Sequence, residues 1–168
     1  MSDDEGKPEA GIEARRLIRS RQQGALGTLM DGRPYVSLVA IACDTDGAPL
    51  LLLSDLARHT QNLLADPRGS LLFEATEGHA DPLAGPRLTV IGRAERFDDP
   101  RALARFTARH PASAQYAGSA ISTCTASSSN AAIWSPGLAA FRGLTARHCA
   151  LARMPPRWRR RKPISWPT

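Results

Sequence analysis

Residues 24–54 read GALGTLMDGRPYVSLVAIACDTDGAPLLLLS, and the order of turn signals in this stretch decides the fold. Asp31-Gly32 stands between two aliphatic runs. Asp-Gly is among the strongest signals for a two-residue hairpin, because both central positions of that turn need positive φ. A second signal, Asp44-Thr45-Asp46-Gly47, precedes the apolar run Ala48–Ser54. Three strands joined by tight turns predict an antiparallel meander.

The flanking sequence extends the pattern. ARHTQNLLADP (57–67) predicts a helix that stops at Asp66-Pro67, since the residue before proline is driven out of the α region. RGSLLFEAT (68–76) and RLTVIGRAERF (87–97) predict a fourth and a fifth strand around the loop HADPLAGP. Ile12, Leu17 and Ile18 among Arg15, Arg16, Arg19 and Arg21 predict an amphipathic helix over about residues 9–22. DDPRALARFTARHP (98–111) predicts another, with Asp near its N-cap and proline at its start and after its end. The fold class is therefore mainly β, an antiparallel β-barrel with short helices.

Composition divides the chain in two. The net charge of +6 averages residues 1–118, with 16 Asp and Glu against 14 Lys and Arg, and residues 119–168, with 8 Lys and Arg and no acid. At 42% hydrophobic content the 168 residues suffice for one buried core. No long apolar run is present to span a membrane, and MSDDEGKPEAG lacks the apolar stretch of a secretory signal, so a cytoplasmic protein is expected. Cys43, Cys124 and Cys149 have neither disulfide-framework nor zinc-ligand spacing. Asp31, Asp44 and Asp46 read as turn residues and not as an acid–base pair, and His79 and His110 as exposed loop histidines.

The run GRPYVSLVAIACDTDGAPLLLLSDLARHTQNLLADPRGSLLF (32–73), followed by DPLAGPRLTVIGRAERF (81–97), resembles the FMN-binding split-barrel superfamily of pyridoxamine 5′-phosphate oxidases. Within it the likeness is to the HugZ-type haem utilisation branch. It covers about residues 10–118 and implies either a homodimeric split barrel with FMN at the subunit interface, or haem handling, for which the ligands in that branch lie largely towards the C-terminal domain. In such flavoproteins basic and hydroxyl groups from one strand, and from the turn into the helix after the third strand, hold the FMN phosphate. The matching positions here are Ser54, Arg58, His59 and Thr60, with Ser37 on the facing strand. A phosphate dianion favours charge-assisted donors and a helix N-terminus. The oxidases proper show Arg-Lys where this chain has Arg58-His59, and Arg where it has Ser37, departures that weaken phosphate affinity.

Beyond Gly118 the resemblance stops, and the sequence itself suggests why. Residues 119–134, SAISTCTASSSNAAIW, back-translate with GC-rich synonymous codons to a segment that reads FGDFHLYRLELERGHL one base earlier. Residues 154–168, MPPRWRRRKPISWPT, shift in the same sense to DAAALAEAEADILAHM. The first is an alternating strand of the kind the family shows, the second a sequence of high helix propensity. The organisation expected is a flexible acidic N-terminus (1–10), a split-barrel domain (11–118) and an out-of-frame tail (119–168) that leaves the barrel incomplete at its C-terminal strands and lacks the small C-terminal domain of the HugZ branch.

Three functions follow from this organisation. The first is an FMN-dependent redox protein, in which the flavin supplies the chemistry and the protein anchors it. The second binds or degrades haem without flavin. The third binds nucleic acid or an anionic surface through Arg157, Arg159, Arg160, Arg161 and Lys162, with Trp134, Trp158 and Trp166 as stacking groups. On the out-of-frame reading those arginines are codons in the wrong register, and nucleic-acid binding is expected to be non-specific.

Overall fold

The computed structural model describes residues 7–97, 99–115, 121–135 and 142–144. Helix α1 (Lys7–Ser20) leads into strands β1 (Gln23–Met30), β2 (Arg33–Ala40), β3 (Ala42–Cys43) and β4 (Pro49–Ser54). Helix α2 (Arg58–Ala65) precedes β5 (Arg68–Glu74) and the long β6 (Arg87–Phe97), with helix α3 (Pro100–Arg109) and strands β7 (Ile121–Ser135) and β8 (Arg142–Leu144) beyond. The first hairpin forms as its turn demands: Asp31 and Gly32 take φ of 51° and 75°, and β1 pairs with β2 from Gln23↔Ala40 to Met30↔Arg33. Asp99 caps α3 by accepting from the Arg101 N–H, and Pro100 occupies the first turn.

The meander does not form. The sheet runs β2-β1-β5-β6-β7-β4-β3, so β4 pairs with β3 and β7 and lies far along the sheet from β1. The run Arg33–Cys43 breaks at Ile41, whose N–H bonds the carbonyl of Gln22, and the chain turns there to begin β3. Strands β2 and β3, the two ends of the sheet, are separated by this one residue. The sheet must therefore curl until its ends meet, which makes it a barrel.

The tail also departs from expectation, at the level of backbone. Ile121–Ser135 pairs with β6 from Phe97↔Thr123 to Arg87↔Ser135, and with β4 from Ser54↔Ile121 to Leu50↔Thr125. Without this strand β4 and β6 would each present a row of unpaired N–H and C=O groups. Backbone pairing asks little of side-chain identity, so a run of small residues can fill the gap. Strand β8 pairs with β7 in turn, and the other tail residues, the basic cluster 157–162 among them, lie outside the described residues.

The barrel interior is filled by alternate residues of its strands, among them Leu26, Val39, Leu51, Leu53, Leu71, Phe73, Leu88 and Val90, together with Ile41 from the break between β2 and β3. Ala10, Ala14, Leu17 and Ile18 form the buried stripe of α1 and join the same core, as does Leu63 of α2. Helix α3 packs outside, with Ala102 and Phe106 against Ala42 and Leu50. Each large aliphatic or aromatic side chain so buried stabilises the fold by about 1.5–3 kcal/mol relative to exposure.

Arg109, at the end of α3, ties α1 to this frame. Its Nη2 donates to the carbonyls of Arg19, Ser20 and Arg21 at 2.9, 3.1 and 3.2 Å. A guanidinium at a helix C-terminus both satisfies orphan carbonyls and complements the helix dipole. Among the described residues no helix is long and apolar enough to cross a membrane.

Candidate functional site

The turn from β4 into α2 sits against the inner side of β2, and three buried interactions hold it there. Asn62 Nδ2 donates to Thr28 Oγ1 at 3.0 Å, joining α2 to β1. Leu63 enters the barrel core. Thr60, 2% exposed, donates its hydroxyl to the Ser54 carbonyl at 2.6 Å. The sequence pattern did not single out Asn62. Its signal was there to read, as an amide next to Leu63 on the apolar stripe of a short helix.

Of the five residues expected to form the site, the structure joins Ser37 to His59 and Ser54 to Thr60, leaves Arg58 exposed in the first turn of α2, and turns Thr60 inward. Ser54 and Arg58 are exposed, while Ser37 and His59 are half-buried. Ser54 Oγ accepts the Leu56 N–H at 3.3 Å, and among the described residues its own proton has no acceptor. The N–H groups of Arg58 and His59 open the helix and have no intrahelical acceptor. Thr60 is the exception. Its hydroxyl proton is engaged by Ser54, so it offers a ligand no donor.

The most specific feature is a pair. Ser37 Oγ and His59 Nδ1 lie 3.1 Å apart, linking the edge strand β2 to the first turn of α2. Burial pushes the His59 pKa below its ordinary 6.5, favouring neutral imidazole at neutral pH. Leu56, 89% exposed, adds apolar surface in the turn, and Arg96 approaches Asp55 at 3.6 Å. The turn thus carries the Arg58 guanidinium, the Ser54 hydroxyl, the His59 imidazole held by Ser37 and an exposed leucine, with the Asp55–Arg96 ion pair beside them.

The other residues weighed from sequence have structural surroundings. Asp44 Oδ1 accepts the Thr45 N–H and Asp46 Oδ1 the Ala48 N–H, which closes the second turn. His110 is not a free loop histidine: its Nε2 bonds the Ile41 carbonyl at 2.9 Å and its ring lies 4.8 Å from that of Phe106. His79 is exposed, and burial raises the pKa of the Cys43 thiol.

In sequence and in fold the chain is similar to known proteins. The family model described as pyridoxamine 5′-phosphate oxidase matches residues 11–143. The chloroplastic haem oxygenase HOZ of Arabidopsis thaliana is 35% identical over 105 residues, which are 59% of this chain and 32% of that protein. A haem-binding protein from Mycobacterium smegmatis is 33% identical with a TM-score of 0.78, covering 85% of this chain and 60% of that one. The haem storage protein HutZ from Vibrio cholerae shares the fold, with a TM-score of 0.59 at 22% identity over 68% of this chain and 86% of that one. The chain thus spans about a third of the plant protein and under two thirds of the mycobacterial one.

Proposed function

Because the chain belongs to the pyridoxamine 5′-phosphate oxidase family, and because its site has the character just described, we propose that it handles haem and is not a flavin-dependent oxidase. The observation that carries this reading is the Ser37–His59 pair. It stands where the resembled oxidases place two cations, and it leaves Arg58 as the cation of the turn. A phosphate dianion on FMN would find one guanidinium, the Ser54 hydroxyl and two helix N–H groups. Haem asks for something else: apolar contact, a cation for its carboxylates and an imidazole. Leu56, Arg58 and His59 are of those types. The names of the plant and mycobacterial relatives, both above 30% identity, support the same choice.

The test is a pair of titrations, haemin and FMN in turn, into the purified chain and into a version with residues 119–168 restored to the shifted frame. A shifted Soret band with haemin, and unquenched flavin fluorescence with FMN, is the expected result. Stoichiometric FMN binding without a Soret shift would overturn the reading.

A homodimer fits the outer face of the sheet. Leu38, Ala25 and Leu72 align across β2, β1 and β5, and the next row sets Val36 beside Gly27, Ser70 and Ile91. Leu38 and Val36 are 71% and 66% exposed, more than an edge strand of a monomer normally leaves to water. Sedimentation should give a dimer that Leu38→Lys dissociates. The out-of-frame origin of residues 119–168 belongs to the same proposal, and resequencing the gene across codons 110–125 tests it.

A further inference from the structure

We infer that the barrel opens along one line, the seam between β2 and the β3–β4 pair, and that two side-chain latches, Ser37–His59 and Arg109–His110, set how often it does so. The seam exists whichever cofactor the chain takes.

Along this line the ladder of the sheet stops. Strands β2 and β3 are its ends, and among the described residues no backbone hydrogen bond joins β2 to β3 or β4. Elsewhere the strands are zipped together, β1 to β2 from Gln23↔Ala40 to Met30↔Arg33 and β5 to β6 from Arg68↔Arg93 to Glu74↔Arg87. Parting those strands breaks a ladder, whereas parting the seam breaks none. Regions with few bonds to lose are the ones that open ahead of global unfolding.

Side chains cross the seam instead, at two points. Ser37 of β2 meets His59 of α2 at 3.1 Å, and α2 follows β4 directly, so this bond ties one side of the seam to the other. At the break itself His110 Nε2 bonds the Ile41 carbonyl at 2.9 Å, and the Ile41 N–H bonds the Gln22 carbonyl at 2.8 Å. Arg109 donates to the carbonyls of Arg19, Ser20 and Arg21, which lead into Gln22. The last turn of α3 thus grips the start of β1 and the break between β2 and β3 as one corner, from outside the barrel, where Phe106 packs with Ala42 of β3 and Leu50 of β4.

The Arg109 latch is held by a small margin. Its Nη2 has two protons to share among three carbonyls, and its Nε is buried without a hydrogen-bond partner among the described residues. Opening gives Nε access to water, which offsets part of what the broken bonds cost.

Cys43 reports on the seam. It lies on β3, half-buried and packed against the core, and burial raises its thiol pKa, so a thiol reagent reaches it slowly while the seam is closed. Replacing Cys124 and Cys149 by serine in the full chain leaves it as the one thiol. Its labelling by an aromatic disulfide is followed beside amide hydrogen exchange at Ile41 and, for the core, at Leu71 and Val90, as a function of urea below the unfolding transition. Cys43 and Ile41 should report an opening at least about tenfold more frequent than that of the core pair, with a shallow urea dependence because little surface is exposed. Arg109→Gln should raise both seam rates by about tenfold and Ser37→Ala by about fivefold, as expected for charge-assisted and neutral bonds. Phe73→Leu, at a fully buried position of β5, should speed exchange at Leu71 and Val90 while leaving both seam rates unchanged. If all four positions share one rate and one urea slope, the barrel opens only as a whole and the seam has no opening of its own. Seam rates that neither latch variant moves would overturn the assignment equally.

Discussion

Replacing Thr60 by valine separates structure from ligand binding at this site. Threonine and valine are both β-branched and nearly equal in volume, so the change removes a hydroxyl without opening a cavity. The hydroxyl is 2% exposed with its residue and donates to the Ser54 carbonyl at 2.6 Å. Its loss forfeits a net hydrogen bond of about 1 kcal/mol, and the Ser54 carbonyl keeps the Ala57 N–H as a donor at 3.0 Å, so no orphaned acceptor adds to the cost. The expected destabilisation is therefore about 1 kcal/mol. With a urea slope of about 1–3 kcal/mol per molar for a domain of this size, the unfolding midpoint should fall by about 0.5 M. Haemin affinity of the folded variant should change by less than about twofold, below about 0.4 kcal/mol, because the lost proton never faced the ligand. An unchanged midpoint together with a tenfold loss of haemin or FMN affinity would show Thr60 to be a ligand donor after all.

Burial lowers the His59 pKa from its ordinary 6.5, so as pH falls the unfolded chain takes up the proton first. Stability is then full above about pH 6.5 and declines through the window between that value and the folded pKa; His59→Asn should flatten the decline in urea midpoints, and equal slopes would refute the assignment. Gly32 has φ of 75° with nothing within 4 Å of a built Cβ, so Gly32→Val should cost about 1–2 kcal/mol from backbone strain alone and Gly32→Asn much less. Phe106, fully buried against Ala42 and Leu50, should cost about 3–5 kcal/mol on truncation to alanine, measured as a fall in Tm without change in the haemin spectrum.

Local chemistry was legible wherever one short signal acts alone. Asp31-Gly32, Asp66-Pro67 and Asp99-Pro100 each placed a boundary, and each boundary lies where the structure has it. The partner of β4 was not legible, because a tight turn specifies only which strands are consecutive. Ile41 decides the matter, by breaking an apolar run that periodicity reads as one strand. The bond it makes to Gln22 depends on where β1 begins, and β1 in turn depends on β2 and β5 for its neighbours. Such a closure is a property of the whole sheet.

The site was legible as a set of positions but not as a set of roles. Ser54, Arg58, His59 and Thr60 look equivalent as polar residues at the start of a helix, yet the turn sends the Thr60 hydroxyl back to the Ser54 carbonyl and presents the others outward. Ser37 gains meaning only from His59. Read singly, each is a loss relative to an oxidase, a missing arginine and a missing lysine, and together they suggest a weakened phosphate site. Placed 3.1 Å apart they read differently, because a hydroxyl that holds Nδ1 fixes the direction in which Nε2 points. Two fewer positive charges lower the attraction for a phosphate dianion and leave a hydroxyl and an imidazole in their place. On the haem reading proposed above, the pair would thus weaken a phosphate site while the frame of the barrel stays unchanged.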